Sequence, residues 1–449
     1  MRFPYSVMLA LAVGLIAAPP ATAAETSKAS TGRACGVVYF SIDFVNSLLM
    51  RDVKSTTTVA EEMLGAMTYG TAKTRGKLMV DFVPSLHSAT IDLRMVGGVD
   101  IPDSVAQQGG VSVYTKSHTS IDGRKRVVID GSGIRSLPAS AQCETKSEVL
   151  NIKARGPLVE RLAARRVDRK KGEAESLAAR RIERQVAEQL DRETRQPLSE
   201  ADKKFKANIG PRLHGEKALS EKISFRTGER VMVVQAVAPH GKSSGHAPYP
   251  VSRYHDLAFY LHESLVVSVT EKILGGNTVS DKTWLQIMET LTGSEPRALW
   301  VHDRRPRWSV TLAKKAPLRL ELGDGVCEVF LTFQAVTRGG TEIKHPIEVA
   351  GRFKLQPTNE GPCLIRQGEL TARYLESSAE PRKRDDVSFL KRKFNAVLQD
   401  EIHFDGLVPP AGGSWGKLRR LQLVELSADE GWLALGYRLI PDLAKKPKR

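Results

Sequence analysis

The sequence predicts an α+β fold in which antiparallel β-rich regions pack with long amphipathic helices. Residues 156–210 form a strongly basic stretch in which Ala178, Ile182, Val186 and Leu190 repeat at four-residue spacing. That spacing is typical of one apolar stripe on a helix. On both sides of this stretch apolar and polar residues alternate, which indicates half-buried strands. Near the C-terminus helical spacing returns and is followed by a hairpin pattern.

The N-terminus is interpreted as an export signal. Arg2 precedes an apolar run from Val7 to Ala18, and Ala21-Thr22-Ala23 offers a small-residue cleavage pattern. The run is about 12 residues long, which is too short to span a bilayer core. We therefore expect residues 1–24 to be a signal peptide, and the mature chain to be exported, periplasmic or extracellular, without a lasting membrane anchor.

The pattern divides the mature chain into four segments. They are an N-terminal β-rich region (25–155), a basic helical segment (156–210), a C-terminal α+β domain (211–440) and a basic tail (441–449). In the first, Thr58–Met67 has the composition of a short helix, and the strands after it are predicted to be short. In the second, Gly172 predicts a kink and Pro197 a break before another helix.

The formal net charge of +16 favours anionic partners. For an exported chain these are a lipid or an anionic envelope polymer, and nucleic acid is not expected. Between Lys153 and Lys206 sixteen Lys or Arg face ten Asp or Glu, interspersed so that many can pair along a helix. This pattern is typical of a solvated helix face; a dedicated binding stripe is the alternative.

A compact basic cluster lies beside an aromatic residue at Arg304, Arg305, Arg307 and Trp308. Arg and Trp side chains both suit the depth of lipid headgroups, so the cluster is a candidate contact with an anionic surface and implies peripheral contact with a membrane. A plain solvated loop is the alternative.

Four cysteines, Cys35, Cys143, Cys327 and Cys363, lie too far apart in the sequence for Cys-x-x-Cys zinc or redox chemistry. An even number in an oxidising compartment predicts disulfides. We expect Cys327 to pair with Cys363, because they lie on neighbouring predicted strands, and Cys35 with Cys143.

The C-terminal pattern predicts a helix from about Asp386 to Glu401, followed by a β-hairpin. The apolar face of the helix, together with one residue of the hairpin, is expected to line either a core or a ligand groove, of which a core is the more usual. These residues are Val387, Leu390, Phe394, Leu398 and Trp432.

Catalytic and metal motifs fail on their context. Ser414 lies in a Gly-x-Ser-x-Gly pattern, but a Pro-rich loop precedes it and a predicted strand follows, whereas the nucleophile elbow needs a strand and then a helix. His262-Glu263 lacks the second histidine of the zinc-protease helix. His240, His246, His255 and His262, with Asp256 and Glu263, form the densest cluster of potential metal ligands, but surface and capping histidines are the default interpretation. The sequence therefore predicts no catalytic residue, no metal site and no cofactor.

Several short stretches resemble a group of uncharacterised exported bacterial proteins, a resemblance that implies no activity. The stretches are His255-Asp256-Leu257, His262-Glu263-Ser264-Leu265, Leu274-Gly275-Gly276, Phe389-Leu390-Lys391-Arg392-Lys393-Phe394 and Asp429-Glu430-Gly431-Trp432-Leu433. More distantly, residues 380–440 and the general layout resemble the tubular lipid-binding domains of the bactericidal/permeability-increasing type. That resemblance implies lipid held in an apolar groove between helix and sheet, and it transfers no binding residue.

Three functions follow from these observations. The leading hypothesis is an exported, non-enzymatic protein that binds a lipid or other amphipathic ligand between helix and twisted sheet. The second is a structural or interaction protein of the cell envelope without a small ligand. The third is a hydrolase, which requires converging polar groups that the sequence does not display.

Overall fold

The computed structural model describes residues 34–208, 222–237, 255–292, 307–358, 361–376, 383–403 and 421–440, so the predicted signal peptide and basic tail lie outside the described residues. The chain forms two compact units. We call Ile42–Lys206 with Thr227–Val231 the sheet–helix unit, and Met1–Ser41, Ala207–Arg226 and Met232–Arg449 the two-sheet unit.

The sheet–helix unit is built from long antiparallel strands and one long helix. After β1 (Ala34–Ser41), which belongs to the two-sheet unit, its elements are α1 (Ile42–Leu49), β2 (Arg51–Met63), β3 (Ala66–Val83), β4 (Ala89–Gln108), β5 (Val111–Asp130), β6 (Gly133–Ser136), β7 (Ser140–Lys153) and α2 (Pro157–Asn208). Strands β2 to β6 follow one another in the sheet, and β7 pairs with β5. Strands β4 and β5 have 20 residues each and reach about 66 Å.

The expectation of a helix over Thr58–Met67 was wrong. These residues form the hairpin of β2 and β3, whose turn residues Leu64 and Gly65 both have positive φ angles of 52° and 81°. Such a two-residue turn matches the twist of paired strands. The strands are also far longer than predicted, because Gly97 and Gly98 lie inside β4 instead of ending it.

The predicted break at Pro197 was also wrong, since α2 runs through it without interruption from Pro157 to Asn208. Proline removes one backbone hydrogen bond of a helix. Contacts with the sheet hold the helix on both sides of this position: Asp191 accepts from the backbone N–H of Ala139, and Asp202 from that of Ile134. Tertiary contacts therefore outweigh the local preference.

The two-sheet unit contains the remaining elements, apart from Thr227 at the end of β8 and Val231 at the start of β9, which belong to the sheet–helix unit. They are β8 (Lys222–Thr227), β9 (Val231–Val237), β10 (Leu257–His262), α3 (Glu263–Leu274), β11 (Thr278–Ser280), α4 (Asp281–Thr292), β12 (Trp308–Leu312), β13 (Leu318–Gly323), β14 (Val326–Arg338), β15 (Thr341–Ile343), β16 (Ile347–Thr358), β17 (Gly361–Arg366), β18 (Thr371–Tyr374), α5 (Lys383–Val397), β19 (Glu401–His403), β20 (Leu421–Asp429) and β21 (Trp432–Leu439). One sheet has six strands in the order β20-β21-β10-β1-β9-β8, and the other has nine. The predicted C-terminal helix and hairpin are confirmed as α5 and β20–β21.

The main core of this unit lies between the nine-stranded sheet and helices α4 and α5. Phe394 of α5 packs against Trp284 of α4, with ring centroids 5.3 Å apart, and against Phe333 of β14 at 5.0 Å. Leu390 and Phe394 are fully buried. This contact explains the apolar face of α5, since each large side chain buried there contributes about 2 kcal/mol of hydrophobic stabilisation.

All four cysteines are free thiols, so the expected disulfides are not formed. Cys327 lies on β14 and Cys363 on β17, and β16 runs between these strands and pairs with both. Strands β14 and β17 lie two strand spacings apart, about 9 to 10 Å, and Cys327 and Cys363 are aligned with Phe353 and Gln356, three residues apart on β16, so the thiols are too far apart for a disulfide. Cys35 and Cys143 belong to different units.

Candidate functional site

The sheet of the sheet–helix unit curls so that both of its edges contact α2. At the β2 edge, Arg51 forms an ion pair with Glu193, and Glu61 forms one with Arg181. At the β7 edge, Glu183 accepts a hydrogen bond from the backbone N–H of Cys143. A helix that touches both edges of one antiparallel sheet lies along its concave face.

Carboxylates of α2 satisfy backbone N–H groups along the edge formed by β6 and β7. The pairs, each carboxylate named before its N–H donor, are Glu175 with Ser147 at 2.7 Å, Glu183 with Cys143 at 3.0 Å, Asp191 with Ala139 at 3.1 Å and Asp202 with Ile134 at 2.9 Å. Eight residues of helix rise about 12 Å and four residues of strand about 13 Å, so the two spacings match. An exposed sheet edge is a site of unwanted pairing, and the helix covers this one.

Beneath the C-terminal half of α2 the helix and the concave face pack tightly. Val186 and Leu190 are buried against Met95, Val99 and Ile121. A Cβ atom at Gly123 would meet Val186 Cγ1 at 2.9 Å and Leu190 Cδ1 at 3.0 Å, so the helix approaches the strand as closely as glycine allows. This half of the unit is a closed core.

Toward the β2–β3 and β4–β5 turns the same concave face is only half-buried. We call this region the open groove. The half-buried strand residues of this region are Met63 and a set of small or β-branched residues, namely Val59, Ala66, Thr68, Gly70, Ser104, Ala106, Val111, Val113, Thr115, Ser117, Val149 and Ile152. On α2, Ala163, Ala164 and Val167 are half-buried as well. From Val111 to Ser117 it extends about 20 Å.

The side chains around the open end of the groove include exposed apolar ones. Leu158 is 75% exposed and Leu162 is 66% exposed, one helical turn apart at the start of α2. Tyr69, Tyr114 and Leu150 are exposed on the strand ends nearby. Scattered exposed apolar residues are ordinary, but a group of them marks an interaction site.

The residues singled out on the C-terminal helix lie in the core of the two-sheet unit. Leu390, Phe394 and Leu398 belong to the cluster between α5 and the nine-stranded sheet, and Val387 is half-buried. Trp432, on β21, is fully buried and packs edge-on against His262, with ring centroids 5.1 Å apart. Their role in a ligand groove stays a prediction.

The basic and aromatic cluster is described only in part. Arg304 and Arg305 lie outside the described residues, and Arg307 is exposed. Trp308 is 5% exposed and packs edge-on against Phe389, so its ring presents almost no surface to a headgroup. Contact between this cluster and an anionic surface stays a prediction.

A polar cleft of about 610 Å³ lies in the two-sheet unit. Its lining includes Glu263, Glu321, Asp324, Glu328, Glu430, Arg352 and His262. Burial lowers the pKa of His262 and raises the pKa of Glu263. The cleft is therefore acidic, in contrast to the whole chain.

The histidine in this cleft has a structural role. His262 is the N-cap of α3: its Nδ1 accepts a hydrogen bond from the backbone N–H of Ser264 at 3.2 Å and also lies 2.8 Å from Ser264 Oγ. The hydroxyl of Ser264 is thereby committed to the helix end. Ser414, His240 and His246 lie outside the described residues.

Within the described ranges, no three His, Cys, Asp or Glu side chains are placed to hold a metal ion. None of the helices in that part of the chain combines the length and apolar character needed to cross a membrane.

No family model matches the chain, and no curated protein matches it. Among solved structures, a lipopolysaccharide binding protein is similar at 9% identity and a TM-score of 0.32, covering 91% of this chain and 99% of that one. P47 of Clostridium botulinum E1 is similar at 8% identity and a TM-score of 0.27, covering 92% and 100%. At these TM-scores neither likeness carries an argument about fold or function.

Sequence reasoning missed the open groove, although one signal was present. Glu175, Glu183 and Asp191 recur every eight residues in α2. That spacing matches every fourth residue of a strand and was available before the structure. It indicates a helix that lies along a sheet edge, and it places the candidate site in the sheet–helix unit instead of at α5.

Proposed function

We propose that the sheet–helix unit binds the apolar part of a lipid or another amphipathic molecule in the open groove. One observation carries the proposal: α2 packs closely on the sheet at Val186 and Leu190, but the facing sheet surface toward the turns stays half-buried. A groove about 20 Å long, lined by Ala, Val, Gly and hydroxyl side chains, suits an extended acyl chain.

Export is part of the same proposal and rests on the apolar run from Val7 to Ala18. N-terminal sequencing of the protein recovered from the cell envelope or the medium tests it. A mature N-terminus near residue 25 supports export, and an intact Met1 contradicts it.

The groove is tested by blocking it. Ala106 is half-buried on the concave face, and its neighbour Gln107 is exposed on the opposite face of the same strand. We expect Ala106→Trp to fill the groove and to abolish binding of a fluorescent fatty acid. Gln107→Trp is expected to bind this fatty acid as the unchanged protein does. Native mass spectrometry of the purified chain is expected to show co-purified lipid only where the groove is open.

Equal binding by both variants would contradict the groove. If the unchanged protein carries no lipid and binds none of the probes, the second hypothesis, an envelope interaction protein without a small ligand, becomes the better one.

A further inference from the structure

Charge is distributed unevenly along α2 and the four residues that precede it. Residues 153–171 contain eight Lys or Arg and two Asp or Glu, whereas residues 172–206 contain eight of each. The whole excess of +6 over residues 153–206 therefore lies in the first nineteen residues. These residues lie at the end of the unit where the concave face of the sheet is only half-buried.

Four of the eight carboxylates in residues 172–206 bind the sheet of the same unit. Glu175, Glu183, Asp191 and Asp202 all accept backbone hydrogen bonds from the sheet. Most basic side chains of residues 153–171 are not paired in this way. Arg155, Arg161, Arg165, Arg166 and Lys171 are exposed and form no ion pair with any described residue.

Exposed apolar side chains share this end of the unit. Leu158 and Leu162 project from the first turns of α2, beside Arg161 and Arg165. On the outer face of the strands, Tyr69 and Tyr114 are both aligned with Val105, which pairs with each of them. Lys153, the last residue of β7, has its Nζ 5.4 Å from the ring centroid of Tyr114 and so brings a positive charge to this row.

We infer that this end, comprising residues 153–171 with Tyr69, Tyr114 and Leu150, is a docking surface for an anionic lipid bilayer. Each basic side chain near such a surface is attracted to it, and tyrosine and leucine insert at headgroup depth. A soluble polyanion would use the arginines but would gain nothing from two leucines that are mostly exposed to water.

The inference does not depend on a ligand in the groove. A chain whose groove is blocked by Ala106→Trp is expected to bind vesicles unchanged, so failure of one proposal is distinguishable from failure of the other.

The test compares two triple variants of the full chain with the same charge change. Arg165→Glu/Arg166→Glu/Arg169→Glu alters the docking surface, and Arg180→Glu/Arg184→Glu/Arg192→Glu alters the balanced part of α2. Binding is measured by flotation with vesicles of phosphatidylcholine, with and without phosphatidylglycerol. We expect the first triple to weaken binding to anionic vesicles at least about tenfold, and the second less than about twofold.

A third variant separates a bilayer from a soluble polyanion. Leu158→Ser/Leu162→Ser is expected to weaken vesicle binding while elution from a heparin column is unchanged. Equal loss in both triples, equal binding to vesicles without phosphatidylglycerol, or full vesicle binding by the serine variant would each overturn the inference. Circular dichroism confirms that all variants retain the helix.

Discussion

Lys125 of β5 and Asp191 of α2 form an ion pair in which the lysine is buried and the aspartate is partly exposed. Lys125 Nζ donates to Asp191 Oδ1 and, at 3.2 Å, to the carbonyl oxygen of Leu137. The same aspartate accepts from the backbone N–H of Ala139. The hydrogen bond from Lys125 holds the pKa of the Asp191 carboxyl below its ordinary value, against the opposing effect of burial. One side chain thus fixes both the helix and the sheet edge.

Asp191→Ala is expected to lower the free energy of unfolding of the sheet–helix unit by about 3 kcal/mol, because it leaves a buried ammonium group with one neutral acceptor. The control Asp168→Ala removes an exposed carboxylate from the same helix and should change it by less than about 0.5 kcal/mol. Urea denaturation followed by circular dichroism measures both. Similar values for the two variants would show that the ion pair is not stabilising.

Hydrogen exchange at the Cys143 amide tests whether α2 protects the β7 edge of the sheet. Glu183→Ala removes the acceptor of the Cys143 N–H, and a lost hydrogen bond of about 1 kcal/mol predicts roughly fivefold faster exchange there. Glu188→Ala, exposed on the same helix, serves as the control and should leave the exchange of Cys143 unchanged. Unaltered exchange in Glu183→Ala would contradict the role of the carboxylate.

Local patterns in the sequence predicted much of the fold. The four-residue spacing of Ile182, Val186 and Leu190 indicated the helix and the face it buries. The C-terminal hairpin was predicted from its pattern, and its turn residues Glu430 and Gly431 both adopt positive φ angles. In these segments the local preference and the tertiary structure agree.

Predictions failed where distant contacts decide the outcome. Thr58–Met67 has helical composition, but its residues on both sides of the Leu64–Gly65 turn pair with neighbouring strands. Cys327 and Cys363 lie on strands that seemed adjacent, yet β16, which lies between them in the chain, also lies between them in the sheet. Strand order cannot be derived from one sequence, and neither can the half-buried state of Ala106 or Val113.

Two facing glycines lie where β3 and β4 approach each other closely. Gly76 and Gly97 are directly opposite each other on β3 and β4, and a Cβ at Gly97 would lie 2.3 Å from the carbonyl oxygen of Arg75. Gly97→Ala must displace backbone, so we expect a loss of about 1 to 3 kcal/mol in the free energy of unfolding.

The matched control for Gly97→Ala is Gly172→Ala. Gly172 is exposed on α2, a Cβ added there meets nothing within 4 Å outside its own stretch of helix, and alanine is the better helix former by up to about 1 kcal/mol. This variant should be neutral or stabilising by thermal unfolding. If the two alanines destabilise equally, the close approach at Gly97 has been overestimated.

Thiol titration tests the free cysteines. Burial raises the pKa of Cys35 to about 12, that of Cys327 to about 12 and that of Cys143 to about 11. Because the thiolate is the reactive form, we expect these three to react slowly with a disulfide reagent near neutral pH. In denaturant without reductant all four cysteines should titrate. Only two, or none, would demonstrate disulfides.

The two-sheet unit is expected to lose stability in mildly acidic solution. His255 Nε2 lies 3.0 Å from Glu425 Oε2, which favours the charged ring, but burial is the larger effect and lowers the pKa of His255. Burial also lowers the pKa of His262. Between these lowered values and the unfolded value of about 6.5, the folded chain binds fewer protons than the unfolded chain. The stabilisation that the two neutral histidines give to the folded state is therefore complete above about pH 6.5. It is lost as the pH falls from about 6.5 through their lowered pKa values.

Hydrogen exchange in β10 and β21, compared at about pH 7.5 and 5.5 after correction for intrinsic rates, measures this loss. His255→Gln/His262→Gln should flatten the pH dependence, since neither glutamine gains a proton, although the variant is expected to be less stable at every pH. His87→Gln changes an exposed histidine and should retain the full dependence. A double variant as pH-sensitive as the unchanged protein would assign the effect to carboxylates instead, whose protonation acts in the same direction at lower pH.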